Sequence, residues 1–250
     1  MKYQANMLFA LLLCGALCVP LRAQEAARPA ASSPIQKMLA VDQLVEDKQY
    51  DEAIRGYNEL LAADPRNPQL LNRLGNTYLA MQNMREARRN YDRALKADPH
   101  YAVAINNIGC LYYNDHNYGK AMRFYRRAIK TDPNVASFHS NLAFSYLAEK
   151  KYPEMMESFR QAASLDPTVF DQRNRSGAVI LDRGAPDAGA LYFYLAKTFG
   201  QMGDLDHCLE YLTKARDAHY KNILKAKTDP AFDSVRSKPA MKEFMDRLVA

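Results

Sequence analysis

The sequence predicts an all-α solenoid: four to five antiparallel helix pairs stacked side by side, closed by a C-terminal capping helix. Three observations predict it. Asp-Pro recurs at Asp64-Pro65, Asp98-Pro99, Asp132-Pro133 and Asp166-Pro167, each pair 34 residues after the last. A fixed period of that length marks stacked supersecondary units. Within a period, apolar and small residues fall at helical spacing. Over Pro68–Tyr101, Leu71, Leu74, Gly75 and Tyr78 form one set and Ala87, Tyr91 and Ala94 a second, and each set shares one helix face. Finally, only Met81-Gln82-Asn83-Met84 lies between the two helices, which leaves room for a tight antiparallel turn. Proline ends each unit, because it cannot continue the second helix and biases the residue before it out of the α region.

In chain order, residues 1–23 read as a secretory signal. Lys2 supplies the positive start, Met7–Val19 is an apolar run of 13 residues, Pro20 breaks it, and Ala23 precedes the expected cut. Leu21 stands where a small residue is usual, so the cleavage position stays open. The run is shorter than the roughly 20 residues of a membrane span. Cys14 and Cys18 follow Leu13 and Leu17 rather than the small residue that precedes a lipidated cysteine, and read as apolar filler. The expected location is a bacterial periplasm or envelope, with secretion as the alternative. Residues 24–35, rich in Ala, Pro and Ser, read as a linker. Beyond the leader only Cys110 and Cys208 remain. They fall in the third and fifth units, so no disulfide between them is expected.

Four units then fill residues 34–169. The first, 34–67, is divergent, with Ala40, Val41 and Leu44 in its first helix. The second is the one described above. The third carries Ile105, Ile108, Gly109, Tyr112, Ala121, Tyr125 and Ala128. The fourth carries Leu142, Ala143, Tyr146, Phe159 and Ala162, with Met155 where Ala stands elsewhere. Residues 170–188 break the phase and read as an insertion, of the kind that is often functional in compact arrays. Periodicity resumes in a fifth unit, 189–222, and residues 223–250 supply the cap, with a last helix from about Pro239.

The period and these slots resemble the tetratricopeptide repeat family, closely over 34–169 and loosely over 189–222. The resemblance implies right-handed stacking, first helices lining a concave groove, and second helices on a convex back. It implies a scaffold that binds a protein or peptide, with no catalysis of its own.

The residues point the same way. The chain lacks Gly-x-Ser-x-Gly, His-Glu-x-x-His, a Walker-type phosphate loop and Gly-x-Gly-x-x-Gly, so no catalytic residue, cofactor or metal is expected. The turns Asn114–Asn117 and Asp204–His207 are rich in metal-capable atoms, yet turns favour Asn and Asp for backbone reasons alone. Net charge is +6, too mild and scattered to indicate nucleic acid.

The expected groove surface comprises Asn72, Arg73, Asn76, Asn106, Asn107, Tyr113, Asn114, Ser137, Ser140 and Asn141. An Asn amide both donates and accepts, so it can clamp an extended backbone; it can equally bridge adjacent helices. Asn107 and Asn141 share one slot and resemble the asparagine ladder of the superhelical domain in O-linked N-acetylglucosamine transferase. The dicarboxylate clamp of heat-shock chaperone adaptors is a poorer comparison. Asn76 and Asn107 match its asparagines, but Asn72, Ser137 and Asn141 stand where it needs cations.

The convex side offers a basic patch: Arg85, Arg88, Arg89 and Arg93, then Arg123, Arg126, Arg127 and Lys130. Residues 68–135 hold 11 Lys/Arg against 5 Asp/Glu, whereas residues 34–67 hold 4 against 7. Such a back suits an acidic partner, an anionic membrane surface or packing within an envelope complex. The groove, the back and the insertion remain three separate candidates for the binding surface.

Overall fold

The computed structural model describes residues 33–170 and 188–248. The signal segment, most of the linker and the interior of the 170–188 insertion lie outside the described residues. Among those described, the chain forms α-helices and no strand. Five antiparallel pairs follow one another: α1 (Pro34–Glu46) with α2 (Tyr50–Ala63), α3 (Pro68–Ala80) with α4 (Met84–Ala97), α5 (Ala102–Asn114) with α6 (Tyr118–Thr131), α7 (Ala136–Ala148) with α8 (Tyr152–Leu165), and α9 (Ala188–Met202) with α10 (Leu205–Asp217).

Each pair turns the same way. A residue just past the end of the first helix adopts positive φ: Lys48 at 60°, Gln82 at 60°, His116 at 57°, Lys150 at 56° and Gly203 at 77°. That residue and the one after it send their N–H groups back to the helix's last carbonyls, as Gln82 to Leu79 (2.9 Å) and Asn83 to Tyr78 (2.8 Å), which is a Schellman closure. Only the fifth unit places glycine there. Asn83, Asn117 and Asp204 then accept N–H bonds as caps of the second helices. This accounts for the metal-capable turns: Asn117 accepts from Lys120 N at 3.2 Å and Asp204 from His207 N at 3.1 Å. The aspartates of Asp-Pro also close turns, Asp98 accepting from His100 N at 2.9 Å and Asp132 from Asn134 N at 3.2 Å.

Close approach within a pair depends on a glycine facing a tyrosine ring. A Cβ on Gly75 would lie 2.5 Å from the Tyr91 ring, and one on Gly109 2.6 Å from the Tyr125 ring. The first unit inverts the device. Val41 takes the first-helix slot, and Gly56 on α2 makes room for it at 2.6 Å.

The far end is closed by more than the single helix expected from Pro239. Two short 3-10 helices and α11 (Asp233–Arg236) come first: Ile223–Lys227 packs on α10, while Pro230–Phe232 and α11 pack on α9. Phe232 and Val235 are fully buried there. Ser234 donates to the Gly200 carbonyl, Lys238 Nζ to that of Gly203 at 3.2 Å, and Lys197 pairs with Asp229 at 2.8 Å. The last helix, α12 (Pro239–Arg247), adds Met241, Phe244 and Met245 to the same core.

Candidate peptide-binding groove and basic back

Aligning the units by their 34-residue period reveals a polar seam where successive first helices meet. One column holds Asp42, Asn76, Cys110 and Phe144; a second holds Tyr57, Tyr91, Tyr125 and Phe159; a third holds Arg73, Asn107 and Asn141. Within a unit, the second column reaches the first. Tyr57 donates to Asp42 Oδ1 at 2.5 Å and Tyr91 to Asn76 Oδ1 at 2.8 Å. Between units, the third column donates 31 residues back to the first: Arg73 Nη1 to Asp42 Oδ2 at 2.5 Å, Asn107 Nδ2 to Asn76 Oδ1 at 3.0 Å, and Asn141 Nδ2 to Cys110 Sγ at 3.6 Å. Asn107 also donates to Asn72 at 2.9 Å, and Asn141 to Asn106 at 3.0 Å. In the fourth unit the polar pair gives way to Phe144 and Phe159, packed edge to face at 5.4 Å.

Burial sets the chemistry of the seam. It pushes the Cys110 thiol up to about 11, so the sulfur stays protonated and unreactive at neutral pH. It raises Tyr91 and Tyr125 too, and Tyr57, where the Asp42 carboxylate adds to the effect. The Tyr125 hydroxyl lies against the Cys110 thiol without a hydrogen bond of normal geometry. The other free thiol, Cys208, is buried in the fifth unit and rises to about 12.

The ten groove residues expected from the sequence therefore divide. Asn72, Asn106, Ser140 and Asn141 are buried. Asn72 and Asn106 accept from, and Asn141 Nδ2 donates to, side chains of neighbouring helices, while Ser140 donates within α7 to the Ser137 carbonyl at 3.1 Å. Arg73, Asn107, Tyr113 and Ser137 are half-buried, while Asn76 and Asn114 are exposed. Both rungs of the expected asparagine ladder, Asn107 and Asn141, are engaged within the protein; half-buried Asn107 stays at the open surface with Arg73, Asn76, Tyr113, Asn114 and Ser137. The seam was within reach of the sequence. Asp42 and Arg73 stand in the same columns as Asn76 and Asn107, and reading the columns across units pairs them.

On the back, all eight basic residues except half-buried Arg88 are exposed. Several already have partners. Arg88 binds Asp92 at 2.9 Å and sits over the Tyr112 ring, Arg93 donates to Asn90 at 2.8 Å, Arg126 to the Tyr146 hydroxyl at 2.7 Å, and Arg127 to the Pro99 carbonyl at 3.0 Å. Arg89 is 3.7 Å from Glu86. Arg85, Arg123 and Lys130 have no such partner among the described residues. No cluster of metal-ligating side chains occurs among the described residues.

Family models for the tetratricopeptide repeat match residues 44–107, 102–135 and 136–169. No curated protein matches the chain. Among solved structures, pilF of Pseudomonas aeruginosa is 16% identical, with 86% of this chain and 91% of that one covered at a TM-score of 0.54; the likeness is one of fold. MamA of Desulfovibrio magneticus RS-1 is 16% identical over 77% of this chain and 98% of that one, with a TM-score of 0.49. YrrB, described as carrying an unusual peptide-binding site, is 17% identical over 78% and 92%, with a TM-score of 0.47.

Proposed function

Because the chain belongs to the tetratricopeptide repeat family, we propose that it is an exported, non-catalytic scaffold that holds a protein or extended peptide against its first helices. The observation that carries this reading is the seam. Arg73, Asn76 and Asn107 are fixed by hydrogen bonds within and between units, so the donors and acceptors beside the open surface are set before a partner arrives. Binding on such a surface pays little ordering cost. Export follows from the charged start and apolar run of the leader, and places the partner in an envelope or outside the cell. Amino-terminal sequencing of the envelope-resident protein tests it; an intact Met1 would count against cleavage.

A second reading makes the protein a structural subunit of an envelope complex, packed through its basic back. It is favoured by Arg85, Arg123 and Lys130, unpaired among the described residues, and by the acidic first unit. Affinity capture separates the two. Ser137→Arg with Asn114→Arg fills the open groove and touches no side-chain bond of the seam. Arg89→Glu with Arg123→Glu reverses the back. On the groove reading, the first variant loses its partners and the second retains them at moderate salt. The reverse pattern would replace the groove with the back.

A further inference from the structure

The open end of the stack carries an apolar face that no described residue covers. Inside the array each first helix is flanked by the second helix of the preceding pair, α3 by α2, α5 by α4, α7 by α6 and α9 by α8. Among the described residues, α1 has no preceding second helix beside it and packs chiefly on α2. The slot that holds Arg73, Asn107 and Asn141 in later units holds Leu39 in α1, which is 57% exposed, and Ile35 one turn earlier is 65% exposed. End units of helical arrays ordinarily turn a polar face outward; this one turns leucine and isoleucine.

Beside that stripe the first pair gapes. Leu71 and Ile105 are fully buried between their helices, but the same slot in α1 is Lys37, whose ammonium stays in water. The result is a wedge of about 760 Å³ between α1 and the ends of α2 and α3, floored by Val41, Leu60 and Leu70, with Glu59 and Asp64 among its lining residues. The unit around it is acidic, 7 Asp/Glu against 4 Lys/Arg, in a chain of net charge +6. The opposite end is already closed by the tail.

We propose that this end docks an amphipathic helix of another protein, with apolar residues on one face and Lys or Arg along its flanks. A helix is the shape that fits, because it takes the place of the preceding second helix that every later unit has. Basic flanks complement the acidic unit. The array supplies an instance of the type in α4, which sets Ala87, Tyr91 and Ala94 inward and four arginines outward. This site is separate from the groove, and its failure leaves the groove reading untouched.

The test uses the full chain and a labelled Leu/Lys amphipathic peptide of about 16 residues, with a Leu/Glu peptide of the same pattern as control. Fluorescence anisotropy should show the Leu/Lys peptide binding, with affinity falling at about 0.3 M salt. Ile35→Lys with Leu39→Lys, both at exposed positions, should weaken binding at least about tenfold with unchanged helicity, and the Leu/Glu peptide should bind poorly. Equal binding to wild type and variant would overturn the proposal. So would a concentration-dependent dimer that the double substitution abolishes, since a second copy would then cover the face. Binding that appears only after the residues before Pro34 are removed would assign the face to the chain's own leading segment and overturn it too.

Discussion

Tyr57, Tyr91, Tyr125 and Phe159 fill one slot, and the group each ring tip meets sets the value of its hydroxyl. Tyr91 gives Asn76 a hydrogen bond of 2.8 Å, whereas the Tyr125 hydroxyl is buried without one of normal geometry. Tyr91→Phe should therefore cost about 0.5–1.5 kcal/mol, and Tyr125→Phe should be neutral or stabilising, because it removes a desolvated and poorly paired group. Urea unfolding of the two variants checks this; a Tyr125→Phe loss as large as that of Tyr91→Phe would refute it. The residue scale is also where the sequence was least legible. Helical spacing put Asn107 and Asn141 on the correct helices and off the pair's own packing face. It could not say whether their amides pointed to an open groove or to the neighbouring unit, since that depends on how closely two units stack. Nor did it expose Lys37 as a vacancy in packing, because a lysine on a first helix looks like ordinary surface.

Elements were easier to read, because their boundaries depend on local chemistry. Proline at the start of α3, and the Asp-Pro pairs after α2, α4, α6 and α8, mark ends directly. The tail was harder. The segment between α10 and α12 has no helical period, so its role in covering α9 was invisible until Phe232 and Val235 were placed. The Lys197–Asp229 pair ties that segment down. Burial acts to raise the Asp229 carboxyl, but Lys197, the Ala231 N–H and Arg236 outweigh it, and the carboxyl lies below its ordinary range. A carboxyl depressed in the folded state stabilises above its unfolded pKa of about 4 and loses that contribution as pH falls through the folded value. Asp229→Asn should lower stability by about 1–2 kcal/mol near neutral pH. The deficit should shrink in acid, below about pH 4. Thermal melts at the two pH values would show it, and a deficit independent of pH would mean that Asp229 acts only through its turn.

At the scale of the whole molecule, the core is lopsided. One buried cluster runs from α6 through α7–α10 into the tail, and a smaller one joins the first two pairs to α5. Among the described residues, the first pair has a neighbour on one side only. Opening should therefore begin at α1 and α2, which have the least to lose. Amide exchange measured by mass spectrometry should show α1 and α2 exchanging faster than α9 and α10. Equal protection across the stack would indicate a single cooperative unit. The period announced this architecture from the sequence because a repeated slot pattern is a global property written locally. The polarity of charge along the array was equally plain. What the period could not convey was the direction of the seam. Every donor in its third column comes from the later unit and every acceptor from the earlier one. Asp42 is matched to a guanidinium, Asn76 to an amide, and Cys110 to another amide. The blocks are equal in length but not interchangeable. Exchanging the second and third would set Arg73 opposite a neutral sulfur and strand it without a counter-ion, so the order of the units is itself encoded, as teeth are cut in sequence along a key.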